Sequence, residues 1–286
     1  MKVGVLASGN LGFQMLSKIL PIHDVKFVLT DRNSQVIMTL CKANEIPYFT
    51  GNPRNGRGHA FVESIEVDVI VSINYLYMIE KDIIHHSNWL TFNVHGSLLP
   101  KYRGRTPHVW AIINNEKVTG ITAHIIDEGC DTGAIISQIE VPIGLDETGA
   151  EILSKFELKY FDIILDVFKK ISSGNTELVK QDEQRATYFG KRTPKDGRIN
   201  WNWQKERIYN WVRAQAFPYP GAYTYVNNQQ LIIDKVEECS HGYRWDTKNG
   251  TVLAVNPYIV VKTANGALQI EKSRLKVIVK TGDILI

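Results

Sequence analysis

The sequence predicts an α/β fold: a mostly parallel sheet with helices on both faces, followed by a small β-rich C-terminal domain. Three observations carry that expectation. Short apolar runs alternate with helix-period segments through the first half. A glycine-containing turn follows the first of those runs. Beyond a polar stretch at residues 172–198, short β-rich runs separated by Asn/Gly turns replace the alternation. The chain has 286 residues, room for two units of ordinary domain size. The expected division is a first domain at 1–185, a linker at 186–204 and the β-rich domain at 205–286.

Residues 3–6 read as the first strand. It meets Gly9-Asn10-Leu11-Gly12, a tight turn, and then a helical pattern in Phe13, Leu16, Ile19 and Leu20. A second strand at 25–29 ends at Thr30-Asp31, a helix covers 36–43, and further strands follow at 67–73 and 90–94. This Rossmann-like order places ligands beyond the carboxyl ends of the strands. After a loop at 95–105, Thr106 is expected to cap a helix that has Pro107 at its first position. Strands at 120–126 and 134–141 flank the loop 127–133 as a hairpin. Thr148 and Glu151 form a capping box that opens a long helix, with Ile152, Phe156, Ile163, Val167 and Ile171 on its apolar side and Gly174 at its end. The runs at 230–236, 251–255, 258–263 and 268–270 suggest a small sheet or barrel.

Composition removes several classes. A hydrophobic share of 44% and a charged share of 22% are those of a globular protein, and no run approaches the length of a membrane span. The net charge of +3 is too small to imply a nucleic-acid or membrane partner. The short apolar start is unlike a secretory signal. Cys41, Cys130 and Cys239 are widely spaced, without a CxxC pair for metal or redox work, so a cytoplasmic setting and no metal are expected.

Two residues apart on a strand means one face, so Asn93 and His95 point the same way at a strand's carboxyl end while Phe92 and Val94 point the other. An amide beside an imidazole suits acyl transfer, where donors face the oxygen that gains charge. The pair by itself also fits a structural reading, a turn-forming Asn and a His satisfied by a carbonyl. A second candidate chemistry is dinucleotide binding: Ala7-Ser8-Gly9-Asn10-Leu11-Gly12 after a strand, with Asp31 ending the next, approximates the fingerprint of an NAD-dependent dehydrogenase. Its first glycine is missing, and it leaves Asn93, His95 and Asp131 unexplained. His85-His86 reads as a solvated helix end, since adjacent residues cannot converge on one ion.

The text around the pair decides between them. Phe92-Asn93-Val94-His95-Gly96-Ser97-Leu98-Leu99-Pro100, then Tyr102-Arg103-Gly104, and later Asp127-Glu128-Gly129-Cys130-Asp131-Thr132-Gly133 closely resemble the folate-dependent formyltransferases. The resemblance implies a formyl donor, N10-formyltetrahydrofolate, acting as co-substrate to a primary amine, with no metal. It implies that Asn93 donates to the formyl oxygen and that His95, as a cation or proton donor, stabilises the oxyanion. Asp131 would hold His95 and favour its protonated form, or pass on the amine's proton. For Asp131 the structural alternative is a turn carboxylate. The folate pterin would lie against Tyr77, Met78 and Ile79 and against Asp127, Glu128, Gly129 and Cys130. His124 matches a recurrent family His and is assigned a structural role. Residues 1–185 would then be the formyltransferase catalytic domain.

The family divides by acceptor. The transformylase of purine synthesis resembles only the first domain and lacks a β-rich tail. Methionyl-tRNA formyltransferase carries a long basic insertion after its second strand, whereas here Asp31-Arg32-Asn33-Ser34-Gln35 passes directly into a helix, leaving no electrostatic footprint for a polyanion. Tyr188-Phe189-Gly190-Lys191-Arg192, the run from Pro194 to Trp201, Val212-Arg213-Ala214 and Pro218-Tyr219-Pro220-Gly221-Ala222 resemble the tails of the tRNA enzyme and the nucleotide-sugar branch equally. The expected acceptor is therefore a nucleotide-linked amino sugar, such as dTDP-4-amino-4,6-dideoxyglucose, destined for surface polysaccharide (O-antigen or lipopolysaccharide), with methionyl-tRNA as the alternative and a homodimer as the expected assembly. Candidate substrate contacts are Asn10, Arg103 as a phosphate partner and Tyr223 as a base-stacking ring. Their plainer readings are a turn residue, a solvated arginine and a core filler.

Overall fold

A computed structural model describes residues 1–274 and 277–286. Through the first half the chain runs β1 (Lys2–Ala7), α1 (Gly9–Ile19), β2 (Asp24–Thr30), α2 (Gln35–Ala43), β3 (Tyr48–Thr50), α3 (Arg57–Val62), β4 (Val69–Ile73), α4 (Lys81–Ile84) and β5 (Leu90–His95). Next come β6 (Arg103–Gly104), α5 (Pro107–Ile113), β7 (Val118–Ile125), β8 (Ile135–Pro142), α6 (Gly149–Ser172) and β9 (Tyr188–Phe189). The last part holds α7 (Lys205–Ala214), β10 (Ala222–Val226), β11 (Gln229–Cys239), β12 (Val252–Ala254), β13 (Ile259–Thr263) and β14 (Gly266–Ser273). Contacts sort the chain into two compact units that interleave in sequence. The first is Met1–Gly104, Gly120–Glu140 and Phe156–Tyr188, and the second is Arg105–Thr119, Val141–Lys155 and Phe189–Ile286. Linear boundaries at 185 and 204 miss this exchange because periodicity along the chain carries no information about which distant segments pack together.

A seven-stranded sheet of order β3-β2-β1-β4-β5-β7-β8 realises the expected mostly parallel α/β class. β1 pairs in parallel with β2 and β4, β4 with β5, and only the β5–β7 pair among those registers is antiparallel. One face buries Leu6, Phe27, Leu29 and Ile70 under Val62 of α3 and Ile83 of α4, each such side chain contributing about 1.5–3 kcal/mol by leaving water. Gly4 is required there, because a Cβ on it would stand 2.4 Å from Cζ of the fully buried Phe27. On the opposite face Phe168 of α6 meets Phe92 edge-on at 6.0 Å, and Gly12 of α1 lies against Ala7. The strand order reverses between β1 and β4, the place where such sheets take ligands.

The glycine turn after β1 is the first turn of α1 itself, Gly9 turning the chain at φ +66°. The Thr148 capping box forms, with Thr148 N–H donating to Glu151 Oε2 at 2.8 Å and Glu151 N–H to Thr148 Oγ1 at 3.3 Å. Thr106 precedes α5 as expected but lies at φ +50° and makes no side-chain cap. In the second unit a five-stranded antiparallel sheet, β10-β11-β14-β13-β12, confirms the β-rich C-terminal part. It is accompanied by α7, an element the β-rich expectation passed over although Ile208, Trp211 and Val212 recur at helical spacing. Among the described residues, no helix is long and apolar enough to cross a membrane.

Candidate active site

All groups of the expected catalytic set lie in the first unit. β5 presents Asn93 and His95 at its carboxyl end, and antiparallel β7 sets His124 directly opposite Asn93 and Thr122 opposite His95. The hairpin loop after β7 then returns Asp131 to the same place. Gly133 permits that return, since a Cβ on it would come within 1.9 Å of the Ile125 carbonyl oxygen. Asp131 itself is held in the left-handed region at φ +56°, a conformation that a non-glycine residue keeps only when its surroundings fix it.

The result is one polar cluster in which His95 and His124 are buried and Asn93 and Asp131 half-buried. Asp131 Oδ2 lies 3.5 Å from His95 Nδ1, and its Oδ1 lies 3.6 Å from His124 Nε2. The Gly104 N–H donates to Oδ2 at 2.9 Å. His95 Nε2 stands 2.8 Å from the Tyr102 carbonyl oxygen, an atom that only accepts, so Nε2 carries the proton and Nδ1 is the free nitrogen of the neutral ring. His124 is arranged the other way round. Its Nδ1 lies 2.8 Å from the Ile125 carbonyl and holds that ring's proton, which leaves Nε2 to accept from Asn93 Nδ2 at 3.2 Å. Two imidazoles of opposite tautomer thus share one carboxylate.

Burial pushes the His95 pKa below the ordinary imidazole value, and the Asp131 charge and the Tyr102 carbonyl only partly oppose it. Desolvation thus works against the protonated form of His95 that the resemblance implied. For Asp131 burial acts upward, yet the two facing imidazoles and the Gly104 N–H outweigh it and hold the carboxyl well below its usual range. Asp131 is the fixed anion of the site.

The proposed folate contacts cluster in part. Ile79 and Glu128, from the two separate segments, line one cleft of about 530 Å³ together with Glu80, Lys81, Asp82 and Ile84, and Lys81 pairs with Glu128 at 2.7 Å. Tyr77 packs edge-on against Tyr75 at 5.6 Å, and Met78 is exposed. Asp127 closes the other segment as an Asx turn, accepting from Gly129 N–H at 3.1 Å and Thr132 Oγ1 at 2.6 Å. Cys130 is exposed, its Sγ 3.6 Å from Asp131 Oδ2.

The three expected substrate contacts separate. Asn10 is exposed on the first turn of α1. Arg103 is fully buried, its guanidinium donating to Gln181 and to both Glu183 oxygens, so it is not a free phosphate partner. Tyr223 belongs to β10 in the second unit, where its hydroxyl donates to the Lys195 carbonyl at 3.0 Å. The dehydrogenase alternative loses its acidic residue: Asp31 is buried and receives the Asn33 N–H at 2.8 Å and the Ser34 hydroxyl. His86 is likewise engaged, Nε2 lying 2.8 Å from the Ile65 carbonyl. Sequence reasoning set His124 aside as structural, although antiparallel pairing of two strand ends would have placed it beside Asn93. The Tyr102 carbonyl and the Gly104 N–H leave no side-chain signature to read.

Comparison with known proteins identifies the class that this fold and cluster define. A formyl transferase family model matches residues 23–167, and one for the formyl transferase C-terminal domain matches residues 191–283. The chain belongs to the formyl transferase family, the family and enzyme class that the Asn-x-His and Asp-Thr-Gly motifs indicated. It is 32% identical over 263 residues to the bifunctional polymyxin resistance protein ArnA of Wigglesworthia glossinidia brevipalpis, a match covering 90% of this chain and 39% of that protein. The chain thus spans only about two fifths of that relative's length. In fold it is similar to WlaRD, a sugar 3N-formyl transferase solved in the presence of dTDP and 5-N-formyl-THF, with TM-score 0.70, 23% identity and coverage of 97% of this chain and 99% of that one. It is similar also to the N-formyltransferase from Helicobacter canadensis in complex with folinic acid and dTDP-3-aminofucose, with TM-score 0.69, 22% identity and coverage of 96% and 100%.

Proposed function

We propose that this chain transfers the formyl group of N10-formyltetrahydrofolate to the amine of a nucleotide-linked amino sugar, of the dTDP-4-amino-4,6-dideoxyhexose kind, for a surface polysaccharide, working in the cytoplasm as a homodimer. The observation that carries the reaction is the cluster of Asn93, His124, Asp131 and His95. The bound folate supplies an activated formyl carbonyl for the amine to attack. Asn93, with one N–H held by His124, has the other to donate to the formyl oxygen as charge develops there. His95, neutral, takes the proton that the amine sheds at Nδ1, and Asp131 stabilises the imidazolium so formed. His95 then returns that proton to the departing nitrogen. This reading puts the folate beside Ile79 and Glu128.

The acceptor is supported by the dTDP and dTDP-3-aminofucose present in two similar structures and by the direct passage from Asp31 into α2, without a basic insertion. A pyrophosphate would suit the N-terminus of the eleven-residue helix α1, where Asn10 stands. The test is a mass-spectrometric screen of nucleotide amino sugars, and of methionyl-tRNA, with 10-formyltetrahydrofolate. We expect one formyl group gained on a dTDP-linked amine. Formylation of methionyl-tRNA alone would replace the sugar by the tRNA, and no formylated amine at all would remove the reaction.

A further inference from the structure

Part of the polar stretch at 172–198 is built into the catalytic cluster. Gln181 is buried, and its amide nitrogen donates to the main-chain carbonyls of Asp131 at 2.8 Å and Gly133 at 2.7 Å. Its amide oxygen accepts from Arg103 Nε at 3.1 Å and Nη2 at 2.8 Å. The Arg103 guanidinium also makes a two-pronged contact with Glu183, at 2.9 and 2.7 Å, the geometry in which arginine is most specific. Main chain completes the attachment: Thr187 accepts the Arg103 N–H at its carbonyl and the Tyr102 N–H at its hydroxyl, both at 2.8 Å.

Every group fixed in this way borders the reacting pair. Tyr102 supplies the carbonyl that holds His95, and Gly104 supplies the N–H that holds Asp131. Tyr102, Gly104 and Asp131 all sit at positive φ, +62°, +101° and +56°. For the two non-glycine residues that backbone is costly and persists only under external constraint. Residues 181–187 provide the constraint.

We propose that residues 181–187 are a positioning strap, in which Gln181 and Arg103 lock the Tyr102–Gly104 and Asp131–Gly133 backbones together and so set the distance between His95 and Asp131. Gln181, Arg103 and Glu183 are positioning residues that do not touch substrate. The inference rests on the proposed formyl transfer for its kinetic consequence, but its structural consequence is measured without substrate.

The test uses the full chain with Gln181→Met, which removes all four side-chain hydrogen bonds at similar length, and Glu183→Ala at the exposed outer end, which leaves the buried partners in place. The first readout is the ring ¹⁵N spectrum of His95 in each folded variant, with His108 as internal control. We expect displaced His95 resonances in Gln181→Met and smaller displacements in Glu183→Ala, with His108 unmoved. The second readout is steady-state kinetics, where kcat should fall by about 10-fold in Gln181→Met and about 3-fold in Glu183→Ala while KM stays within about 2-fold, the pattern of a lost transition-state geometry. Should Gln181→Met not fold, Glu183→Ala decides alone. Wild-type His95 resonances in the folded variants would overturn the strap, as would a loss confined to KM. An inactive wild type with displaced variant resonances would instead overturn the reaction and leave the strap standing.

Discussion

His95 and His108 are both buried imidazoles, one in each unit, and their surroundings make them opposites. His108, on α5, has its Nε2 2.8 Å from the Tyr219 hydroxyl, and burial pushes its pKa down to about 4. Against His95 stand a carboxylate at 3.5 Å and a carbonyl at 2.8 Å, and both counter the downward push of burial. Desolvation alone makes an imidazole chemically quiet. Desolvation opposed by a fixed anion is a different balance, in which a carboxylate stands ready to stabilise the protonated ring, the arrangement that general base catalysis needs.

The contrast can be broken from the His95 side. The largest expected effect is in Asn93→Ala and His95→Ala, each predicted to lower kcat by about 10² or more, the scale of a lost oxyanion donor or general base. Turnover within a few-fold of wild type in either purified variant would remove the assignment. Asp131→Asn converts His95 toward the condition of His108, because burial then acts against no charge. We predict a kcat loss of about 10². The sign of the pH effect follows: a base works when unprotonated, so activity rises with pH through the His95 pKa, and lowering that pKa moves the acid limb of the rate profile to lower pH. An acid limb that stays in place or moves up would show that Asp131 does not set the proton affinity of His95. His124→Ala should cost less, about 10-fold, since it frees the Asn93 amide to turn without deleting it; a loss equal to that of Asn93→Ala would instead make His124 a direct participant.

The same contrast shows what a sequence discloses. The shared face of Asn93 and His95 was legible because a strand has period two, while Asp131 was named from the resemblance of residues 127–133 to the folate-dependent formyltransferases. The parallel sheet was legible because each strand is an apolar run with its own helix. His124 required a pairing register between β5 and β7. Gln181 required knowledge of where a polar stretch comes to rest, which no local pattern contains. The buried state of Arg103 follows from Gln181 and Glu183, 78 and 80 residues away, so composition alone left it in solvent. Helix α7 was passed over for a different reason, since the strand runs from residue 230 onward set the expectation for the whole tail.

The smallest effect on activity, and the one that isolates burial, belongs to His108. Its folded pKa of about 4 lies below the ordinary 6.5, so above pH 6.5 neither state holds the proton and the group is neutral toward folding. As pH falls from 6.5 to 4 the unfolded chain binds a proton that the native ring refuses, and stability is lost through that window, by about 3 kcal/mol at its lower end. His108→Gln keeps a hydrogen-bonding side chain of similar size and removes the titration. We predict a melting temperature at neutral pH slightly below wild type, and a decline between pH 6.5 and 4.5 that is shallower by several degrees. The kcat at pH 7.5 should stay within about 2-fold, because the ring has no part in the chemistry. Parallel melting curves for wild type and variant across that window would show instead that His108 already carries a proton in the fold, and the difference between the two buried histidines would then lie in geometry rather than in charge.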